Sequence, residues 1–142
     1  MRWLWAVGDW FADRFGPRDL GARGERAAAR FLRRLGYKIV GRGVRNESGE
    51  LDLVAVDGRT VVFVEVKTRA AEEGRPAEAV DAEKQRRLTL AALAFLRRHD
   101  LLEYPARFDI VAITWPAGGA KPLIEHFPNA FPAAAGHGQF FA

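Results

Sequence analysis

The stretch that decides the fold runs from Gly49 to Arg69, GELDLVAVDGRTVVFVEVKTR. It contains two runs rich in valine and leucine, Leu51 to Val56 and Val61 to Lys67, which read as strands. Asp57-Gly58 between them is a strong hairpin signal. Runs this apolar belong to central strands covered on both faces. Yet each carries acid: Asp52 in the first, Glu65 followed by Lys67 in the second. An uncompensated buried carboxylate is costly, so a cation or a set of hydrogen bonds must accompany these two.

Side chains alternate along a strand, so Glu65 and Lys67 share a face. A two-residue loop pairing Val56 with Arg59 sets Asp52 opposite Phe63 and diagonal to Glu65. A four-residue loop pairing Val56 with Val61 sets Asp52 directly opposite Glu65. Either register gathers the three polar groups on one face, whereas a three-residue loop would separate them. Adjacent carboxylates raise one another's pKa, and a divalent cation relieves that repulsion. Magnesium favours oxygen ligands and commonly takes one or two carboxylates together with water and phosphate oxygens. The cluster therefore reads as a site for Mg²⁺ or Mn²⁺, with Lys67 orienting an attacking water or stabilising developing negative charge. A plain ion pair between Glu65 and Lys67, with Asp52 capping a turn, explains the spacing about as well; the apolar surroundings favour the metal.

Outward from this hairpin, the pattern predicts a helix from Leu20 to Leu35, with Asp19 as N-cap and Gly36 as terminator. Its apolar stripe is Leu20, Ala27, Phe31 and Leu35, widened by Ala28 and Leu32. Glu25 lies at the edge of that stripe. Tyr37 to Val40 reads as a strand and Arg42 to Gly49 as a loop or irregular strand end. Downstream, Arg69 to Pro76 is a charged loop. Asp81 caps a helix from Ala82 to His99 with Leu88 and Phe95 inward, and Lys84 one turn before Leu88 on the same side. Phe108 to Ile113 is a strand, and Leu123 to Phe127 a further one. The order α-β-β-β-α-β-β predicts an α/β fold with a mixed central sheet flanked by helices. Residues 1–18, with Trp3, Val7, Trp10 and Phe11 at helical spacing, form an extra amphipathic helix. Residues 19–131 form the main domain and residues 132–142 a flexible tail.

The length of 142 residues fits one domain, and 49% apolar content excludes a disordered chain. There is no cysteine, which excludes disulfides, thiolate chemistry and cysteine-ligated zinc. His99, His126 and His137 share no metal-binding spacing and read as surface or loop histidines. A net charge of +4 and a pI of about 10.0 lean toward acidic partners such as nucleic acid. No apolar run approaches the roughly 18 residues needed to span a bilayer, and the N-terminus does not read as a signal peptide. A cytoplasmic protein without membrane association is expected.

GELDLVA and FVEVKTR resemble the signature of the YraN family, bacterial proteins with a restriction-endonuclease-like fold of the PD-(D/E)xK nuclease superfamily. The resemblance extends to GARGE at Gly21 to Glu25, to Lys84, and to RFDIVAI at Arg107 to Ile113, and covers roughly Leu20 to Phe131. It implies that Asp52 and Glu65 bind the metal and that Lys67 is catalytic. It implies that Glu25 binds or orients the metal or its water, and that Lys84 contacts phosphate. Arg45, Arg69 and Arg87 are further candidates for nucleic-acid contact. Glu50 is a candidate support behind the ligands; Asp109 is another, though it reads first as a structural partner of Arg107. One position departs from the family pattern: Gly43 stands where members usually carry asparagine.

The function expected from this set is a Mg²⁺- or Mn²⁺-dependent endonuclease hydrolysing DNA phosphodiester bonds, on branched or structured DNA as in the related Holliday junction resolvases. A homodimer is one arrangement such nucleases use to cut two strands. The alternatives are a nucleic-acid-binding module without useful catalysis, and an adaptor in DNA recombination or uptake.

Overall fold

Helix α1 (Leu20–Arg34) turns to the sheet a face rotated from the expected stripe, so that Ala27 and Phe31 are only partly buried. Ala28, Ala29 and Leu32 are fully buried, while Leu35, one residue past the helix, is 54% exposed. The chain turns there through paired terminal bonds, Gly36 N–H to Arg33 O at 3.0 Å and Tyr37 N–H to Leu32 O at 3.0 Å. This is the Schellman arrangement, which satisfies carbonyls that the helix end would leave open. The computed structural model describes residues 20–71, 80–119, 121–138 and 141. The N-terminal amphipathic segment, the Asp19 cap and most of the charged loop after Arg69 lie outside the described residues.

Five strands form one sheet in the order β1-β2-β3-β4-β5. They are β1 (Lys38–Asn46), β2 (Gly49–Asp57), β3 (Thr60–Ala70), β4 (Ala106–Trp115) and β5 (Leu123–Phe131). β3 and β4 are parallel and the other neighbours antiparallel. A parallel neighbour needs a crossover, and helix α2 (Ala82–Arg98) supplies it. One face of the sheet packs Val54, Phe63, Phe108 and Ile110 against Leu88, Ala91, Ala92 and Phe95 of α2. The other packs Leu53, Val62, Val64 and Val111 against Ala28, Ala29 and Leu32 of α1. This is the mixed, helix-flanked sheet of the restriction-endonuclease-like α/β class.

Further sequence expectations are corrected. β1 does not stop at Val40 but continues to Asn46, paired with β2 throughout apart from a register shift between Ile39 and Gly41. As an edge strand it carries Arg42 and Arg45 without apolar alternation, which hid it. Gly43 sits at φ 54, in the left-handed region that glycine adopts without a side-chain penalty. The tail is not loose where it is described: Ala134 N–H donates to Thr89 Oγ1 at 3.0 Å, and the Phe141 ring stacks on Phe108 with centroids 4.9 Å apart.

A further correction concerns His126, whereas Asp109 pairs with Arg107 as the sequence suggested. Asp109 is fully buried on β4, facing α1. Arg107 Nε donates to its Oδ1 at 2.9 Å, His126 Nε2 lies 2.9 Å from Oδ2, and the Asn129 amide donates to Oδ1 at 2.9 Å. Burial raises the Asp109 pKa, but these hydrogen bonds outweigh it and hold the carboxyl below the usual range. Arg107 Nη2 also donates to Tyr37 Oη at 2.7 Å, tying β4 to the end of α1. Asp109 is thus a fastening of the fold, and His126, read from sequence as a surface residue, is part of it.

Among the described residues no helix is long and apolar enough to cross a membrane.

Candidate active site

The β2–β3 ladder runs from Asp57 opposite Thr60 to Leu53 opposite Val64, with Gly58 and Arg59 at the tip. Val56 faces Val61, so the register is the one that aligns Asp52 with Glu65. The ladder ends one pair short of them. Beyond Leu53 the backbone partner is replaced by a side chain, and the Val66 amide donates to Asp52 Oδ2 at 2.9 Å. The strands part here, and the two acids sit at the fork.

Asp52 is pushed up to about 8. Burial is the largest cause, followed by the charge of Glu65; the Val66 amide opposes the shift, while a hydrogen bond with Glu65 and the charge of Glu25 add to it. Near neutral pH the Asp52 carboxyl therefore keeps its proton. Glu65 is only 8% exposed and forms an ion pair with Lys84, Nζ to Oε1 3.0 Å. Lys84 is placed by the start of α2, where Asp81 Oδ1 accepts its backbone N–H at 2.8 Å.

Asp52, Glu65, Lys84, Arg87 and Leu88, with Gly49 and Glu50, line an open cavity of about 220 Å³. Glu50 stands exposed at its rim and pairs with Arg45 across 3.6 Å. Lys67 lies half-buried two residues beyond Glu65 on the same strand, and Arg69 two further on. Both make contacts of their own.

Glu25 approaches from α1, on the other face of the sheet. The helix can come close because Gly24 has no side chain: a Cβ there would collide with Thr68 of β3. Glu25 is half-buried and near enough for its charge to raise Asp52. Among the described residues no three His, Asp or Glu side chains form a metal-holding cluster. The charge of Glu25 acts on Asp52 through the sheet.

Of the residues expected from sequence, the fold gathers Asp52, Glu65, Lys84, Arg87 and Glu50, with Arg45 at the rim, Lys67 on the strand beyond and Glu25 behind. Asp109 is elsewhere: it pairs in register with Val64 and faces away from Glu65. Sequence reasoning missed the Val66 amide as a partner of Asp52 and the ion pair of Lys84 with Glu65. The second was within reach, since Lys84 lies one turn before buried Leu88 and so had to face the sheet. As a donor set, the buried Glu65 and half-buried Asp52 carboxyls at a fork in the sheet fit a hard divalent cation, which would replace the Asp52 proton.

The chain matches the model of the uncharacterised protein family UPF0102 over residues 24–113, a span holding every one of these site residues. It is 53% identical to the UPF0102 protein of Geobacter sulfurreducens over 116 residues, 81% of this chain and 90% of that protein. It is 42% identical to a UPF0102 protein of Rhodopirellula baltica over 146 residues, 94% of this chain and 87% of that one. The match to the family's protein in Symbiobacterium thermophilum is 47% identical and covers 82% and 98%. On this similarity the chain belongs to the UPF0102 (YraN) family.

Proposed function

We propose that the protein is a metal-dependent endonuclease hydrolysing DNA phosphodiester bonds, with branched or otherwise structured DNA as its substrate class. The observation that carries this reading is the side-by-side placement of Asp52 and Glu65 at the fork between β2 and β3, in one cavity with Lys84 and Arg87. Two acids placed to repel one another in a site of fixed geometry are a common mark of chemistry.

Asp52 and Glu65 would hold the Mg²⁺ or Mn²⁺. Bound there, the ion supplies Lewis acidity and lowers the pKa of water. Val66 fixes the orientation of Asp52 through its amide. Glu25 contributes negative charge from the opposite face, which strengthens the pair's preference for a cation over two separate negative charges. Lys84 and Arg87, at the mouth of the cavity, would meet the phosphate oxygens. Lys67 would orient the attacking water or take up charge on the phosphorus oxygens as the bond breaks. A pI of about 10.0 favours approach of a polyanion.

The test incubates the protein with linear, nicked and four-way-junction DNA, with and without Mg²⁺ or Mn²⁺. Metal-dependent cleavage lost in Asp52→Ala and Glu65→Ala is expected. No metal-dependent cleavage of any substrate, or cleavage undiminished in both variants, overturns the reading.

A second reading, a DNA-binding module without catalysis, is favoured by one observation: Lys84 already neutralises Glu65 at 3.0 Å. Salt-dependent DNA binding that survives loss of both acids, with no cleavage, would select it.

A further inference from the structure

A second and larger cavity, of about 490 Å³, lies beside the first. Its floor is apolar, formed by Leu93, Ala94 and Phe95 of α2, and its walls carry Arg45, Arg97 and Arg98 against a single acid, Glu47. Its volume is within the range of small-ligand sites. The two cavities adjoin. Arg45 walls the second, Glu50 walls the first, and these two side chains form an ion pair. The groove they make runs along α2 beneath the turn between β1 and β2. That turn is fixed to the helix by Asn46 Nδ2, which donates to the Ala91 carbonyl at 3.1 Å.

Helical spacing puts Arg87, Ala94 and Arg98 along one side of α2. Eleven residues separate Arg87 from Arg98, roughly 16 Å at 1.5 Å per residue. On a duplex strand that is the length of about five phosphates. An apolar floor between exposed guanidiniums matches the chemistry of a nucleotide, with the base on the floor and the phosphates on the arginines.

We infer that this groove binds the nucleic-acid strand flanking the phosphate that a cation on Asp52 and Glu65 would hold, seating a nucleotide over Leu93 and Ala94 with its phosphates on Arg45, Arg97 and Arg98. The inference deepens the nuclease reading and rests on it for the direction of the strand. The binding itself requires no cleavage.

The experiment measures fluorescence anisotropy of a fluorescein-labelled DNA oligonucleotide, single-stranded and as a duplex, with the full chain in EDTA. Arg97→Ala with Arg98→Ala should weaken binding at least tenfold and lower the salt slope by about two. Ala94→Phe fills the floor and removes no charge. It should weaken binding by a similar factor with the salt slope unchanged. Should its melting temperature fall, Ala94→Gln replaces it. The comparison pair is Arg30→Ala with Arg33→Ala on α1, at the opposite face, where a less than twofold effect is expected.

The inference is overturned by wild-type binding in the filled-floor variant, by an equal loss in the α1 pair, or by no DNA binding at all. It is also overturned if the groove variants lose polyglutamate but not DNA, which would make the groove a protein-docking surface. Groove-dependent binding without metal-dependent cleavage would support the groove and count against the nuclease. Cleavage with groove-independent binding would do the reverse.

Discussion

Lys84 reaches Glu65 from a different element, its Nζ 3.0 Å from Oε1, so the first turn of α2 is fastened to β3 through the acid that would hold a metal. A cation at the acid pair and the Lys84 ammonium thus compete for the same carboxylate. Removing Lys84 leaves Glu65, 8% exposed, without this partner. Lys84 is itself 42% exposed, so water softens the loss, and Lys84→Ala should destabilise the metal-free protein by about 1–3 kcal/mol. Saturating Mn²⁺ should then raise its melting temperature by more than it raises the wild type's. Equal shifts would show that the two cations do not contest Glu65.

Asp52 sets a pH dependence whose sign is unusual for an acid. Its pKa in the folded, metal-free protein lies at about 8, above the ordinary 3.8. The folded state therefore binds a proton that the unfolded chain releases. Stability from this group is complete below the ordinary value and is lost as pH rises toward 8. Asp52→Asn resembles the protonated acid, since its carbonyl can still accept from Val66 and its amide can donate to Glu65. The variant should match the wild type in acid and exceed it at alkaline pH, as read by urea unfolding in EDTA across that range. Parallel curves would refute the burial assigned to Asp52.

Gly24 is a contact residue of α1 by virtue of what it lacks. Gly24→Val would drive a side chain into Thr68 and push the helix off β3, at a cost of about 1–3 kcal/mol. Because Glu25 moves with the helix, the variant should also lower the Asp52 pKa, seen as an earlier fall in proton uptake on titration. A stable variant with an unshifted Asp52 would mean that Glu25 has no hold on the pair.

Asp109→Asn should act on stability alone. It removes the charge facing Arg107, whose side chain is 17% exposed, and a broken buried pair of this kind typically costs about 3–5 kcal/mol. Asp109 is held below the usual carboxyl range, so its contribution is present above that range and is lost as pH falls through its own lowered value. The gap between wild type and variant should close in strong acid. Cleavage measured well below the melting temperature should be unchanged; a selective loss of activity would return Asp109 to the site.

What was legible in the sequence was whatever followed from alternation and burial. Apolar runs around Asp52, Glu65 and Lys67 forced the hairpin to the centre, and strand period forced the acids together. The choice between two registers was not legible, because it depends on whether Thr60 pairs with Asp57, a matter of turn geometry. β1 beyond Gly41 was hidden because an edge strand need not alternate. His126 was hidden because its reason for burial, Asp109, lies on another strand. Tail packing was hidden because the stretch of alanine and glycine before Phe141 carries no apolar periodicity.

The fork between β2 and β3 gives the molecule a reporter of its own. One backbone N–H, that of Val66, is spent on a carboxylate where its neighbours serve the sheet. Its proton chemical shift and exchange rate should follow whatever Asp52 carries, whether proton, metal or neither. A single ¹⁵N-labelled valine amide would then read the occupancy of the site in solution with no DNA present and no bond cut.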